Sequence, residues 1–177
     1  SPANIILRVV LLAIVVGVVY FGLRAVVMHY LSIEAEKIRS AEINEVAITT
    51  SGNLTYDRFR DGVLVANGSN VIFYNSKGEV KWETTGFDGS PFIDVCGKYA
   101  LISYTGSPNA LWFNGLESKQ ITATGNIVTA CINKNGYFAL VMTEEGYKNQ
   151  ITVFDDEATP IYKWHSAENY VTGVAVS

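Results

Sequence analysis

The sequence predicts an all-β fold, a partial β-propeller of about three four-stranded blades plus one strand, preceded by one N-terminal transmembrane α-helix. Three observations predict it. Ile5 to Leu31 is almost continuously apolar. From Leu54 onward, apolar and polar residues alternate and turn signals cut the pattern every 8–12 residues or so. One strand pattern then recurs with a period near 40, which with about four short strands per unit is the signature of propeller blades. The elements divide as 5–31 transmembrane helix, 32–47 juxtamembrane helical stalk and 48–177 β-domain, incomplete at its C-terminal end.

At about 1.5 Å per residue the first run makes a helix of roughly 40 Å, enough to cross a hydrocarbon core of about 30 Å with some tilt. Arg8 and Arg24 interrupt it, and a charge at the bilayer centre costs about 2.5–3.5 kcal/mol on insertion scales. They bracket Val9 to Leu23, roughly 22 Å of helix, so each can lift its guanidinium to the nearer interface. Tyr30 then sits at the outer boundary, where amphipathic rings belong. A cleaved signal peptide would carry about 7–15 apolar residues and a small-x-small site. This run is longer, contains Arg24, and Met28-His29-Tyr30-Leu31 offers no such site. The expected topology is a cell-membrane single pass, N-terminus inside and bulk domain extracytoplasmic.

Ser32 to Glu42 continues the helix as a stalk, with Glu34–Lys37 and Glu36–Arg39 at i,i+3 spacing. Of 13 Lys+Arg only Arg8 and Arg24 precede Glu34, so the remainder holds 11 against 17 Asp+Glu, net −6. That charge argues against nucleic acid as a partner and against tight docking on anionic lipid. Cys96 and Cys131 fall in apolar strand-like runs and read as small buried hydrophobes.

The repeat is visible in three segments: Val71-Ile72-Phe73-Tyr74-Asn75, Ala110-Leu111-Trp112-Phe113-Asn114 and Ile151-Thr152-Val153-Phe154-Asp155. A strand precedes each, and a turn and short strand follow, ending in Lys81-Trp82, Lys119-Gln120-Ile121 and Lys163-Trp164. The blades are expected over 54–86, 91–124 and 126–166, with 171–177 as the innermost strand of a fourth. A four-stranded blade cannot cover both its faces alone, and three do not close a ring of about 4–8, so the chain reads as a piece of a longer protein, the alternative being a ring completed by another chain. Trp82 and Trp164 read as one repeat position, packing between adjacent blades. Asn75, Asn114, Asp155 and Gly78 read as structural turn residues.

Phe73 to Trp82, a strand ending in Asn, a Gly-containing turn and a strand ending in Trp, resembles the repeat of quinoprotein-type propellers; Val153 to Trp164 repeats it with a degraded turn. Asn126 to Val141 resembles WD40-like blades. One N-terminal span ahead of such blades is similar to a membrane-anchored propeller family of unknown function from Gram-positive bacteria. The resemblance implies an extracytoplasmic propeller and brings no activity with it.

No GxSxG, HExxH, P-loop or GxGxxG occurs in the sequence, and neither catalytic residues, metal ligands nor a cofactor are expected. The first functional expectation is a non-enzymatic interaction or scaffold module serving envelope or membrane proteins, with the bilayer bound only through the helix. The alternatives are a solute sensor binding in the propeller channel and a quinoprotein-like oxidoreductase.

Overall fold

A computed structural model gives the architecture; it describes residues 2–39 and 52–177, with side chains at 6, 8–31 and 52–177. The chain divides into two compact units, Ser1–Asn44 and Glu45–Ser177. The first holds helix α1 (Pro2–Arg39). Every large apolar side chain from Val9 to Leu31 is exposed, and these residues leave the helix no polar face to offer water. Its stretch Arg8–Leu31 is long and apolar enough to cross a membrane, a test that a signal sequence also passes. Helix continues through the first part of the stalk; residues 40–47 and the stalk's Glu–Lys and Glu–Arg pairs lie outside the described residues and side chains.

The second unit is a set of three antiparallel four-stranded meanders. The first runs β1 (Thr55–Phe59), β2 (Gly62–Ala66), β3 (Asn70–Tyr74), β4 (Val80–Thr85). The second is β5 (Ser90–Cys96), β6 (Tyr99–Thr105), β7 (Asn109–Phe113), β8 (Ser118–Thr122). The third is β9 (Ile127–Ile132), β10 (Phe138–Glu144), β11 (Tyr147–Phe154), β12 (Pro160–Ser166). The sheets meet along their first strands, β1 against β5 and β5 against β9, and β9 packs most closely on β6, the second strand of the middle blade; Asp94 on β5 accepts the Ile132 N–H of β9 at 2.8 Å. They are three blades of a β-propeller, fanned about the line of first strands.

Burial follows from that arrangement. Ala100, Ile102 and Tyr104 alternate toward the first blade and join Phe59, Leu64 and Phe73 in one core. Tyr99 and Leu101 point the other way and join Ile132, Phe138 and Leu140 in a second. Both faces of β6 are therefore covered, and six of its seven residues are buried, which is why its sequence reads as a continuous apolar run rather than an alternation. Residues 171–177 form no strand, in contrast to the expectation of a fourth innermost strand. A strand is made by its neighbour's hydrogen bonds, and among the described residues no second strand of a fourth blade stands beside this segment.

Candidate functional site

At one end of the blades lie the hairpins joining first to second and third to fourth strands. Asn75 and Asp155 open two of them with the same geometry. Each backbone N–H donates to the carbonyl four residues on, Glu79 O and Thr159 O, both at 3.0 Å. Each side-chain Oδ1 accepts two backbone N–H groups, Lys77 and Glu79 at Asn75, Glu157 and Thr159 at Asp155. Such Asx turns hold a tight hairpin without help from the rest of the fold. The fourth residue must be left-handed: Gly78 has φ 77 and Ala158 φ 58, and a bulge in the register follows in both sheets, as three-residue hairpin loops require. An L-residue there costs about 1–2 kcal/mol that glycine does not. Ala158→Gly is expected to stabilise the fold by about 1 kcal/mol, read as a rise in the urea midpoint at unchanged slope.

Asn114 opens a turn one residue shorter, its Oδ1 accepting Leu116 and Glu117 N–H groups. Asn133, between β9 and β10, repeats the Asn75 pattern with Gly136 at φ 92. Its Asn-x-x-Gly spacing matches Asn75-x-x-Gly78, the signal by which it could have been singled out. These turns are hooked across blades. Arg60 donates to Asn114 O, Lys119 Nζ to Glu157 O at 2.5 Å, and Trp112 Nε1 to Gly136 O at 3.2 Å. Glu79 is held by Lys81 Nζ at 2.8 Å and Asn75 Nδ2 at 2.9 Å, and those two donors, Lys81 first, keep its carboxyl below the usual range.

Trp82 stacks on Phe113 of the next blade, ring centroids 4.5 Å apart. Trp164 does not share its position. Trp82 is paired with Phe73 and Tyr162 with Val153, so the residue at Trp82's place in the third blade is Tyr162, and Trp164 matches Thr84. The Lys-Trp match in the sequence is out of register by two: both fourth strands carry the same bulge, but Trp82 lies seven residues beyond Asn75 and Trp164 nine beyond Asp155. Trp164 is 44% exposed, on a face with no described blade against it. In the second blade Lys119 takes this place, opposite Trp112.

The other end gathers the hairpins between second and third strands and the linkers between blades. Ser69 O accepts the N–H groups of Gly86 and Phe87; Ser107 O accepts Ile127 N–H, and Pro108 O accepts Ala123 N–H. Asp88 accepts Ser107 Oγ at 2.7 Å and Asn109 Nδ2 at 2.9 Å. Thr124, Gly125, Thr143, Glu144 and Glu145 line an open polar concavity of about 470 Å³ here. Gly125 presses on the Thr143 carbonyl, leaving no space for a Cβ. Arg8, Arg24 and Tyr30 belong to the helical unit, where all three are exposed.

Among the described residues no group of three or more His, Cys, Asp or Glu could hold a metal ion. Cys96 and Cys131 are free and half-buried; burial, then the Asp94 charge, raises the Cys131 thiol, while the Ala139 and Val176 N–H groups partly offset this. Tyr104 is fully buried, stacks on Phe87 at 4.8 Å, and its hydroxyl has no hydrogen-bond partner among the described residues. Burial pushes its pKa well above the ordinary phenol range. Stability from the neutral phenol is therefore complete below the unfolded value, about 10, and falls as pH rises above it. Since an unpaired buried polar atom costs about 1–3 kcal/mol, Tyr104→Phe is expected to stabilise by that order and to flatten the alkaline limb of an unfolding-against-pH curve. A loss of stability in the variant would mean the hydroxyl has a partner.

Residues 34–177 match the family described as a family of unknown function, DUF5711. No curated protein matches the chain. Among solved structures it is similar to a eukaryotic initiation factor (TM-score 0.54, 9% identity, 72% of this chain, 36% of that one). It is also similar to Hsv2 of Kluyvelomyces marxianus (TM-score 0.50, 12% identity, 68% of this chain, 39% of that one). The chain thus spans little more than a third of the length of these structures. At such identities the likeness shows the fold alone.

Proposed function

The chain belongs to DUF5711, a family of unknown function, and on that premise we propose that it is a membrane-anchored, extracytoplasmic propeller that binds protein partners through its blade ends and catalyses no reaction. One observation carries this reading: the blade-end turns are held rigid from within. Their backbone is fixed by Asx side chains and cross-blade hooks, while Lys77 and Lys134 at their tips are exposed, as is Glu145 in the β10–β11 hairpin at the opposite end. Exposed loop tips on a rigid scaffold are where folds carry their binding functions, and WD40-like propellers generally mediate protein interactions. The apolar helix supports the anchor, and the net charge of −6 beyond Ile33 disfavours nucleic acid. Partners are envelope or membrane proteins on this reading.

Photo-crosslinking side chains at Lys77, Lys134 and Glu145 in intact membranes test it. Discrete adducts that an excess of unlabelled chain competes away are the expected result. Their absence at all three tips would remove the reading. Protease added to intact cells should digest the β-domain; full protection would place it on the other side of the membrane.

A further inference from the structure

The interface between the first two blades and that between the second and third are built on one plan but closed differently. In the first, Trp82 lies on Phe113 at 4.5 Å, and Gln120 Nε2 donates to Thr84 Oγ1 and Thr85 O across the seam. In the second, the register equivalent of Phe113 is Phe154, each the last residue of a third strand ahead of an Asx turn. Nothing from the second blade stacks on it. Lys119 stands where Trp82 would, but its ammonium lies 5.8 Å over the Trp112 ring and bonds Glu157 O. Phe154 stacks instead on Phe138 of its own blade, at 4.6 Å. A groove of about 200 Å³ is left along the seam, with Ile121 and Ala123 on one wall and Phe154, Thr152, Gln150 and Lys163 on the other.

The chemistry of the groove selects its occupant. Gln150 is 2% exposed and Thr152 5%, and their polar atoms are spoken for. Gln150 Nε2 reaches Thr124 Oγ1, Met142 Sδ and Thr152 Oγ1 at 3.0–3.3 Å, and its Oε1 lies 3.1 Å from His165 Nε2. Neither of these two buried residues offers an unmet donor or acceptor to a polar ligand. The remaining wall is apolar, and the volume is below the roughly 300–1,000 Å³ of sites for whole cofactors. One ring fits. At the mouth, exposed Lys163 supplies a cation.

We propose that this seam is a socket for a single aromatic side chain of a protein partner, its ring on Phe154 in the place Trp82 takes on Phe113, with an adjacent partner carboxylate facing Lys163. The socket continues the blade-to-blade interface, and the inference rests on the reading of the chain as a protein-binding module. Aromatic anchors filling desolvated pockets are the usual strong points of interfaces.

The test uses the full chain in detergent micelles, with Ile and Met side chains methyl-labelled for NMR, and the blocked dipeptide acetyl-Trp-Asp-amide as probe. Ile121 and Met142 methyl signals are expected to shift and saturate, to stay unmoved with acetyl-Ala-Asp-amide, and to respond about three-fold more weakly to acetyl-Trp-Lys-amide, as an exposed ion pair warrants. Lys119→Trp should fill the groove from within, abolish the shifts and raise the melting temperature. Ala123→Trp is a second blocking variant should the first misfold. Unmoved methyls, equal shifts with the alanine peptide, or unchanged binding in a folded blocking variant would each overturn the socket. Those outcomes leave the tip cross-links untouched, so a failed socket and a failed interaction module are told apart.

Discussion

Phe113→Ala is expected to cost about 3–5 kcal/mol, the range for a fully buried phenylalanine truncated in a core. Phe113 is wholly buried and stands where three aromatic rings of the first blade converge. Phe59 lies at 5.3 Å, Phe73 at 6.2 Å and Trp82 at 4.5 Å. Removing it opens a void in the seam that joins two sheets, and the sheets are too rigidly paired to collapse into it. Against a total of about 5–15 kcal/mol for an ordinary domain, the loss removes a large share of the stability. Urea unfolding followed by tryptophan fluorescence reads it, with Trp164→Ala as the contrast. That ring is 44% exposed, and its removal should cost far less. Equal losses in the two variants would mean that the exposed face of the third blade is covered in solution.

Val16→Arg gives the second large effect, on insertion rather than folding. Val16 lies near the middle of Arg8–Leu31; in the proposed anchor that is far from both interfaces, so an arginine there could not lift its head group out as Arg8 and Arg24 would. The expected penalty is about 2.5–3.5 kcal/mol on insertion scales, roughly a hundred-fold shift out of the bilayer by the same arithmetic. Alkaline carbonate extraction of membranes measures it. The wild-type chain should stay with the pellet and the variant should move toward the supernatant. A variant that stays fully pelleted would deny that this helix spans as an anchor.

Much of the fold was legible because its signals are local. The three strand segments ending in Asn75, Asn114 and Asp155 announced third strands, since an Asx turn needs only its own four neighbours. The Asn133 turn sits between first and second strands, outside the strand-Asn-turn-Trp order that marks the repeat in the sequence. The mistaken equivalence of Trp82 and Trp164 has the same origin in reverse. A dipeptide match ignores the distance from the turn that starts the strand, seven residues for Trp82 and nine for Trp164, and which residue faces which is settled by strand pairing. The candidate socket was beyond reach for a further reason. Ile121 and Phe154 are distant in the chain, and whether their gap is filled depends on which way Lys119 turns.

The amino-acid sequence alone determined a greasy helix, the period near 40, the turn positions and the propeller class, each set by residues within a few places of one another. Tertiary structure decided which face of each strand meets which blade, that Tyr162 rather than Trp164 answers to Trp82, and that one seam is stacked shut while the next stands open. The reason is physical: hairpins and helices close through short-range hydrogen bonds, whereas seams between sheets close through side-chain volumes brought together only when the blades pack.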